Sequence, residues 1–144
     1  MQVMTTLPQE NLNDVPQAAR NAEMVGFDMV ATMENRYEPF MPLAAAAIST
    51  KTINIGTAVA IAFPRSPMVV ASTCWDLQNA SDGRFVLGLG PQIKPHNEKR
   101  FSVPWSPPAP RIREYVLALR AIWKNWEHGE KLDFRGEHYT FTLM

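Results

Sequence analysis

The chain has 144 residues, 46% of them hydrophobic, and fourteen basic side chains balance fourteen acidic ones to a net charge of zero. Such content supports a globular core and argues against disorder, and the balanced charge excludes a global field that would draw the protein to nucleic acid or an anionic membrane. A single cysteine, Cys74, excludes an internal disulfide framework. The amino terminus has no basic-then-apolar leader and no apolar run is long enough for a bilayer, so the expected setting is cytoplasmic and the expected partner a small molecule.

Gln2 to Thr6 reads as a short strand, after which Asn13 or Asp14 caps a helix with Ala18, Ala19, Ala22 and Val25 on one face. Gly26 stops it. Phe27 to Thr32 reads as a second strand, followed by a polar turn at Glu34, Asn35 and Arg36 and a helix from Pro39 through the alanines at 44 to 47. Ile53, Ile55, Val59 and Ile61 mark a third strand, and Ser66-Pro67 opens a third helix that ends near Asp82-Gly83. Arg84 to Leu89 is the fourth strand, apolar in both phases, as expected where both faces are covered.

Residues 91 to 110 then form a proline-rich insertion holding six of the twelve prolines, which excludes a regular helix or an interior strand. Beyond it Ile112, Tyr115, Val116, Leu119, Ile122, Trp123 and Trp126 recur at spacings of three, four and seven, the stripe of an amphipathic helix. Asp133 to Phe141 reads as a hairpin turning at Arg135-Gly136.

Four strands alternating with four helices imply parallel crossovers and an α/β class. An open doubly wound sheet would carry a glycine-rich loop after its first strand, and Thr5-Thr6-Leu7-Pro8 is not one. Gly88-Leu89-Gly90 lacks the third glycine of a dinucleotide fingerprint. The expectation is a TIM-type parallel β/α barrel. A complete barrel needs about 250 residues, so residues 1 to 144 supply the first four strand-helix units of an incomplete single domain. Its open parallel edges, at the first and fourth strands, predict self-association of the isolated chain.

Glu34 and Asn35 stand at the end of the second strand, where a barrel presents working residues, and equally fit a solvated turn and helix cap. Gly90 permits close approach of a ligand to the backbone, and Gln92, Lys94 and His96 follow on the same loop. A histidine's pKa of about 6.5 suits proton transfer, and a lysine binds an anionic group. Cys74 falls within a helix and reads as core. No histidine or carboxylate pair has metal-ligand spacing.

The block from Thr57 to Gly90 resembles the bacterial luciferase-like family of flavin- and deazaflavin-dependent oxidoreductases. The resemblance is carried by Gly56-Thr57-Ala58-Val59, Arg65-Ser66-Pro67, Leu77 to Phe85 and Leu87 to Gly90. The stretches KRFSVPWSPPAPRIREYVLALRAIW and LDFRGEHYTFTLM are similar to a branch dependent on a deazaflavin coenzyme of the F-420 type. The resemblance implies hydride transfer between that coenzyme and an organic substrate. FMN-dependent monooxygenation and non-catalytic flavin binding are the alternatives within the family, and a homo-oligomer of the full-length protein is compatible with it. It further implies a non-proline cis peptide at Ala58-Val59 behind the ring, with Gly90, Gln92 and Lys94 as coenzyme contacts and Glu34, Asn35 and His96 as catalytic candidates. Two positions depart from the family pattern. Asn35 stands where many relatives carry histidine, which argues against oxygen activation, and Gln92-Ile93-Lys94 replaces a glutamate used as proton donor by several deazaflavin relatives. Coenzyme phosphate contacts come largely from later strands in the family, so the 144-residue chain alone is expected to bind coenzyme weakly and turn over no substrate.

Overall fold

In the computed structural model, which describes residues 1–144, the first helix is capped earlier than its sequence suggests. Asn11 Oδ1 accepts the N–H of Asn13 at 3.1 Å and opens a 3-10 turn, Leu12–Asp14, that runs into α1 (Val15–Val25). Asp14 makes no side-chain cap, and Pro16 in the first turn removes a donor that such a cap would have used. Gly26 closes α1 as expected, in the left-handed region at φ 93°, with its N–H shared between Ala22 O and Glu23 O.

The chain divides into two units, Met1–Ala60 with Thr73–Leu89, and Ile61–Ser72 with Gly90–Met144. The first unit is built on strands β1 (Met4–Thr6), β2 (Met29–Thr32) and β3 (Asn54–Thr57), with α2 (Phe40–Ser49) between the last two. A two-residue β4 (Ala60–Ile61) leads to α3 (Pro67–Ala80), β5 (Phe85–Val86) and β6 (Leu89–Gly90). The main sheet runs β1-β2-β3-β5, all parallel, with Thr6 beside Ala31, Thr32 beside Thr57 and Gly56 beside Val86. Parallel strands joined through helices are the α/β arrangement expected. Ala19 and Ala22 of α1, Leu43, Ala46 and Ala47 of α2, and Val30 and Ile55 of the sheet form this unit's core. Cys74 lies in the same unit at 4% exposure, and burial pushes its thiol up to about 12, so it is an inert core side chain at neutral pH.

The third and fourth strands each break in two, where the sequence suggests continuous elements. The break has a specific cause. Thr57 Oγ1 donates to Gly88 O at 2.7 Å and accepts the Gly88 N–H at 2.9 Å, so a side chain takes the Gly88 N–H out of backbone pairing and shares its carbonyl with the Ala60 N–H.

Glu23, on α1, shows how the unit holds a loop. One carboxylate oxygen accepts the N–H groups of Lys51, Thr52 and Ile53 at 2.6–3.0 Å and the Thr52 hydroxyl at 3.0 Å. Burial pushes the carboxyl up, but those bonds together outweigh it and hold the pKa at about 2. A depressed carboxylate stabilises the fold fully above its ordinary pKa of 4.5 and loses that contribution as pH falls towards about 2. Glu23→Ala is therefore expected to lower stability at pH 7 by about 1 kcal/mol, after allowance for solvent screening, and to flatten its dependence on pH in that acid window. Urea unfolding of both proteins between pH 2 and 7 checks this, and parallel pH profiles would refute it.

In the second unit α4 (Pro108–His128) begins inside the proline-rich stretch, a correction to the expectation that residues 91–110 contain no regular helix. Pro108 and Pro110 fall in its first turn, where backbone N–H groups have no helical partner to lose. A π-helical turn, His96–Arg100, also lies in that stretch, closed by Phe101 N–H on His96 O. Along α4, Tyr115, Ala118, Leu119 and Ile122 are buried, while the flanking Trp123 is half-buried and donates its indole N–H to Ala71 O at 3.2 Å. Gly129 ends the helix at φ 68°. The hairpin follows as β7 (Phe134–Arg135) and β8 (Thr140–Phe141), antiparallel. Glu114 of α4 accepts the N–H groups of Glu137, His138 and Tyr139 in its turn. Arg111 donates to Tyr139 Oη and Pro104 O and stacks on Phe63.

Candidate functional site

In the first unit the chain leaves β3 through a cis peptide between Ala58 and Val59, the position the resemblance implies. Ala58 N–H donates to Thr32 O at 2.7 Å, and Val59 O accepts the Glu34 N–H at 3.3 Å, so the bulge is tied to the end of β2 on both sides. Ala60 N–H continues to Gly88 O at 2.8 Å. Val59 is 44% exposed although Thr57 and Ala60 on either side of the bulge are buried. Behind it Gly88 passes so close that a Cβ there would lie 2.1 Å from Thr57 O. The result is a small open apolar surface on a backbone that cannot shift without breaking several bonds.

Glu34 is half-buried beside this bulge. Asn35 is exposed and turns its Oδ1 onto the N–H of Arg36. It lines a cleft of about 590 Å³ with Thr6, Gln9, Met33, Arg36 and Tyr37, at the C-terminal ends of β1 and β2. The Arg36 guanidinium sits 5.7 Å from the Tyr37 ring centre. Gln9 belongs to the same lining and was not signalled by any sequence pattern. Its Oε1 accepts the Met33 N–H at 3.2 Å, while its Nε2 is buried without a hydrogen-bond partner. The structure thus groups Glu34 with Ala58 and Val59, and puts Asn35 at the cleft.

The remaining predicted residues lie on one loop of the second unit. Gly90 O accepts the Ala62 N–H at 2.9 Å. Gln92 takes a left-handed backbone conformation, φ 61°, and its Oε1 accepts the Ile93 N–H at 2.9 Å. Lys94 is exposed, 3.9 Å from Glu98 and 5.8 Å from the Trp105 ring centre. His96 is exposed at the start of the π-helical turn, its N–H on Ile93 O.

The model of the family described as luciferase-like monooxygenase matches residues 1–144. The chain belongs to that family. An uncharacterized protein of Mycobacterium tuberculosis is 54% identical over 127 residues, which cover 88% of this chain and 37% of that protein. The solved coenzyme F-420 dependent tetrahydromethanopterin reductase of Methanopyrus kandleri superposes with a TM-score of 0.76 at 22% identity, covering 97% of this chain and 44% of that one. The oxygenating constituent of 3,6-diketocamphane monooxygenase from Pseudomonas putida, solved in complex with FMN, does so with a TM-score of 0.80 at 18% identity, over 98% and 44%. The chain spans less than half the length of these relatives. Proteins solved on the fold seen here therefore include an F-420 dependent reductase and a monooxygenase in complex with FMN.

Proposed function

We propose that this luciferase-like chain belongs to an oxidoreductase that transfers a hydride between a deazaflavin coenzyme of the F-420 type and an organic substrate. The observation that carries the reading is the apolar surface at Ala58-Val59 with Asn35, not a histidine, at the neighbouring strand end. When bound, a deazaflavin supplies a ring carbon that gives or accepts the hydride. The residues present suit the flat face of such a ring: Val59 is open and apolar, and the carbonyls beside it are held by Ala58, Glu34 and Ala60 N–H groups. Glu34 and Asn35 orient polar groups at that strand end, Gly90, Gln92 and Lys94 contact the coenzyme, and His96 moves a proton.

Fluorescence titration of the oxidised deazaflavin coenzyme into the full-length protein is expected to show saturable binding, weakened at least tenfold by Val59→Asp, which puts a charge on the apolar surface. Binding of FMN instead, with oxygen consumption once that flavin is reduced, would replace this reading by the monooxygenase one. Binding of neither would remove both.

A further inference from the structure

Asn97 is the one fully buried side chain of the proline-rich stretch. No sequence pattern singles it out. Its Nδ2 donates to Pro91 O at 3.0 Å and to Ile93 O at 3.2 Å, the two carbonyls that flank Gln92. Having both amide hydrogens on carbonyls fixes which end of the side chain is nitrogen. The backbone of Asn97 joins in: its N–H also reaches Ile93 O, and its own carbonyl accepts the Val103 N–H at 2.9 Å. A single residue thus holds both limbs of the loop from 91 to 103.

Gln92, between the two clamped carbonyls, sits at φ 61°. For a residue with a Cβ that conformation is uphill by about 1–2 kcal/mol and persists only when its surroundings impose it. Asn97 Nδ2 bonds on both sides of Gln92; the backbone N–H groups of His96 and Asn97 hold Ile93 O as well, so what the Asn97 side chain adds is the hold on Pro91 O. Without that hold the ordinary backbone region becomes available, and Gly90, Gln92 and Lys94 lose their fixed relation to one another.

We infer that Asn97 is a positioning residue, which sets the loop 90–94 for the coenzyme by imposing the left-handed turn at Gln92. This rests on the reading of that loop as a coenzyme contact. A side chain that only fills space would be replaced by leucine of similar size without effect on the turn; one that imposes the turn would not.

The test uses Asn97→Leu, Gln92→Gly and the double variant. Asn97→Leu is expected to speed hydrogen exchange at the amides of Gln92 to Lys94, to weaken binding of the deazaflavin coenzyme at least tenfold, and to shift the absorption band of the bound ring. Adding Gln92→Gly, which enters the left-handed region freely, is expected to recover at least threefold of the lost affinity. A structural role elsewhere in the unit would give no such rescue. Unchanged exchange and affinity in Asn97→Leu, or loss without rescue, would overturn the inference while leaving the coenzyme reading intact. If the unaltered full-length protein, in which all three variants are made, binds no coenzyme, that reading falls and the inference with it, whatever the exchange experiment shows.

Discussion

Gly88→Ala is expected to destabilise the protein by about 3 kcal/mol or more, at the upper end for one added methyl group. The new Cβ would lie 2.1 Å from Thr57 O, 3.2 Å from Thr57 C and 3.4 Å from Val59 Cγ1. The two nearest atoms are backbone, and Thr57 is held in place on its other side by the β2 ladder, with Ala58 N–H on Thr32 O. Moving Gly88 away would break the pair of bonds it shares with the Thr57 hydroxyl and the bond from Ala60 N–H. Gly83→Ala provides the contrast. Gly83 sits at φ 82° with nothing near its missing Cβ, so only the conformational penalty of about 1 kcal/mol applies. Urea midpoints of the two variants should differ accordingly, and a Gly88→Ala protein within 0.5 kcal/mol of wild type, roughly the spread of neutral surface changes, would show that the strand end yields. Because the same glycine backs Val59, the proposed coenzyme surface predicts that binding falls with stability in Gly88→Ala and not in Gly83→Ala.

Those two glycines also show what could be read from the sequence. Gly26, Gly83 and Gly129 stand where a helix ends, and local chemistry alone decides such positions: each has positive φ and open space. Helix starts at Ser66-Pro67 and the stripe from Tyr115 to Ile122 are legible for the same reason, since the partners lie within a few residues. Gly88 looked like part of an incomplete fingerprint, because its reason is Thr57, thirty-one residues away. The breaks in the third and fourth strands come from that same long-range pair. Asn11 supplanted Asn13 and Asp14 as the cap through a 3-10 turn that no spacing rule announces. The candidate site divides in the same manner. Glu34, Asn35 and the Ala58-Val59 bulge were reached by position at strand ends and by family resemblance, whereas Gln9 and Asn97 act through side-chain hydrogen bonds to backbone groups that only the folded chain brings into range.

Arg84 is the second position where one substitution should have a large effect. The helix α2 ends without any of the usual devices: its C-cap is Thr50 in an extended conformation, not a glycine, and its last turn holds no basic residue. Thr50 Oγ1 covers Ala46 O at 2.7 Å, which leaves Ala47 O and the carbonyls that follow. Arg84, thirty-four to thirty-seven residues downstream, supplies what is missing. Its Nη2 donates to Ala47 O at 3.0 Å and to Thr50 O at 3.1 Å, and its Nη1 to Ile53 O at 2.6 Å and Thr50 Oγ1 at 3.0 Å. A planar guanidinium can meet two sets of acceptors at once, and its positive charge faces the negative end of the helix dipole. Arg84→Met keeps the length and apolar stem but removes every donor, so the carbonyls are left without partners, at an expected cost of about 3 kcal/mol. Arg84→Lys keeps the charge on one nitrogen, which cannot span both sets, and should recover less than half of that. Urea unfolding gives the magnitudes, and hydrogen exchange gives the location: protection should be lost at Thr50, whose amide closes the last turn of α2 on Ala46 O. If Arg84→Met were as stable as wild type, or if Lys restored stability in full, the guanidinium would not be the cap of this helix.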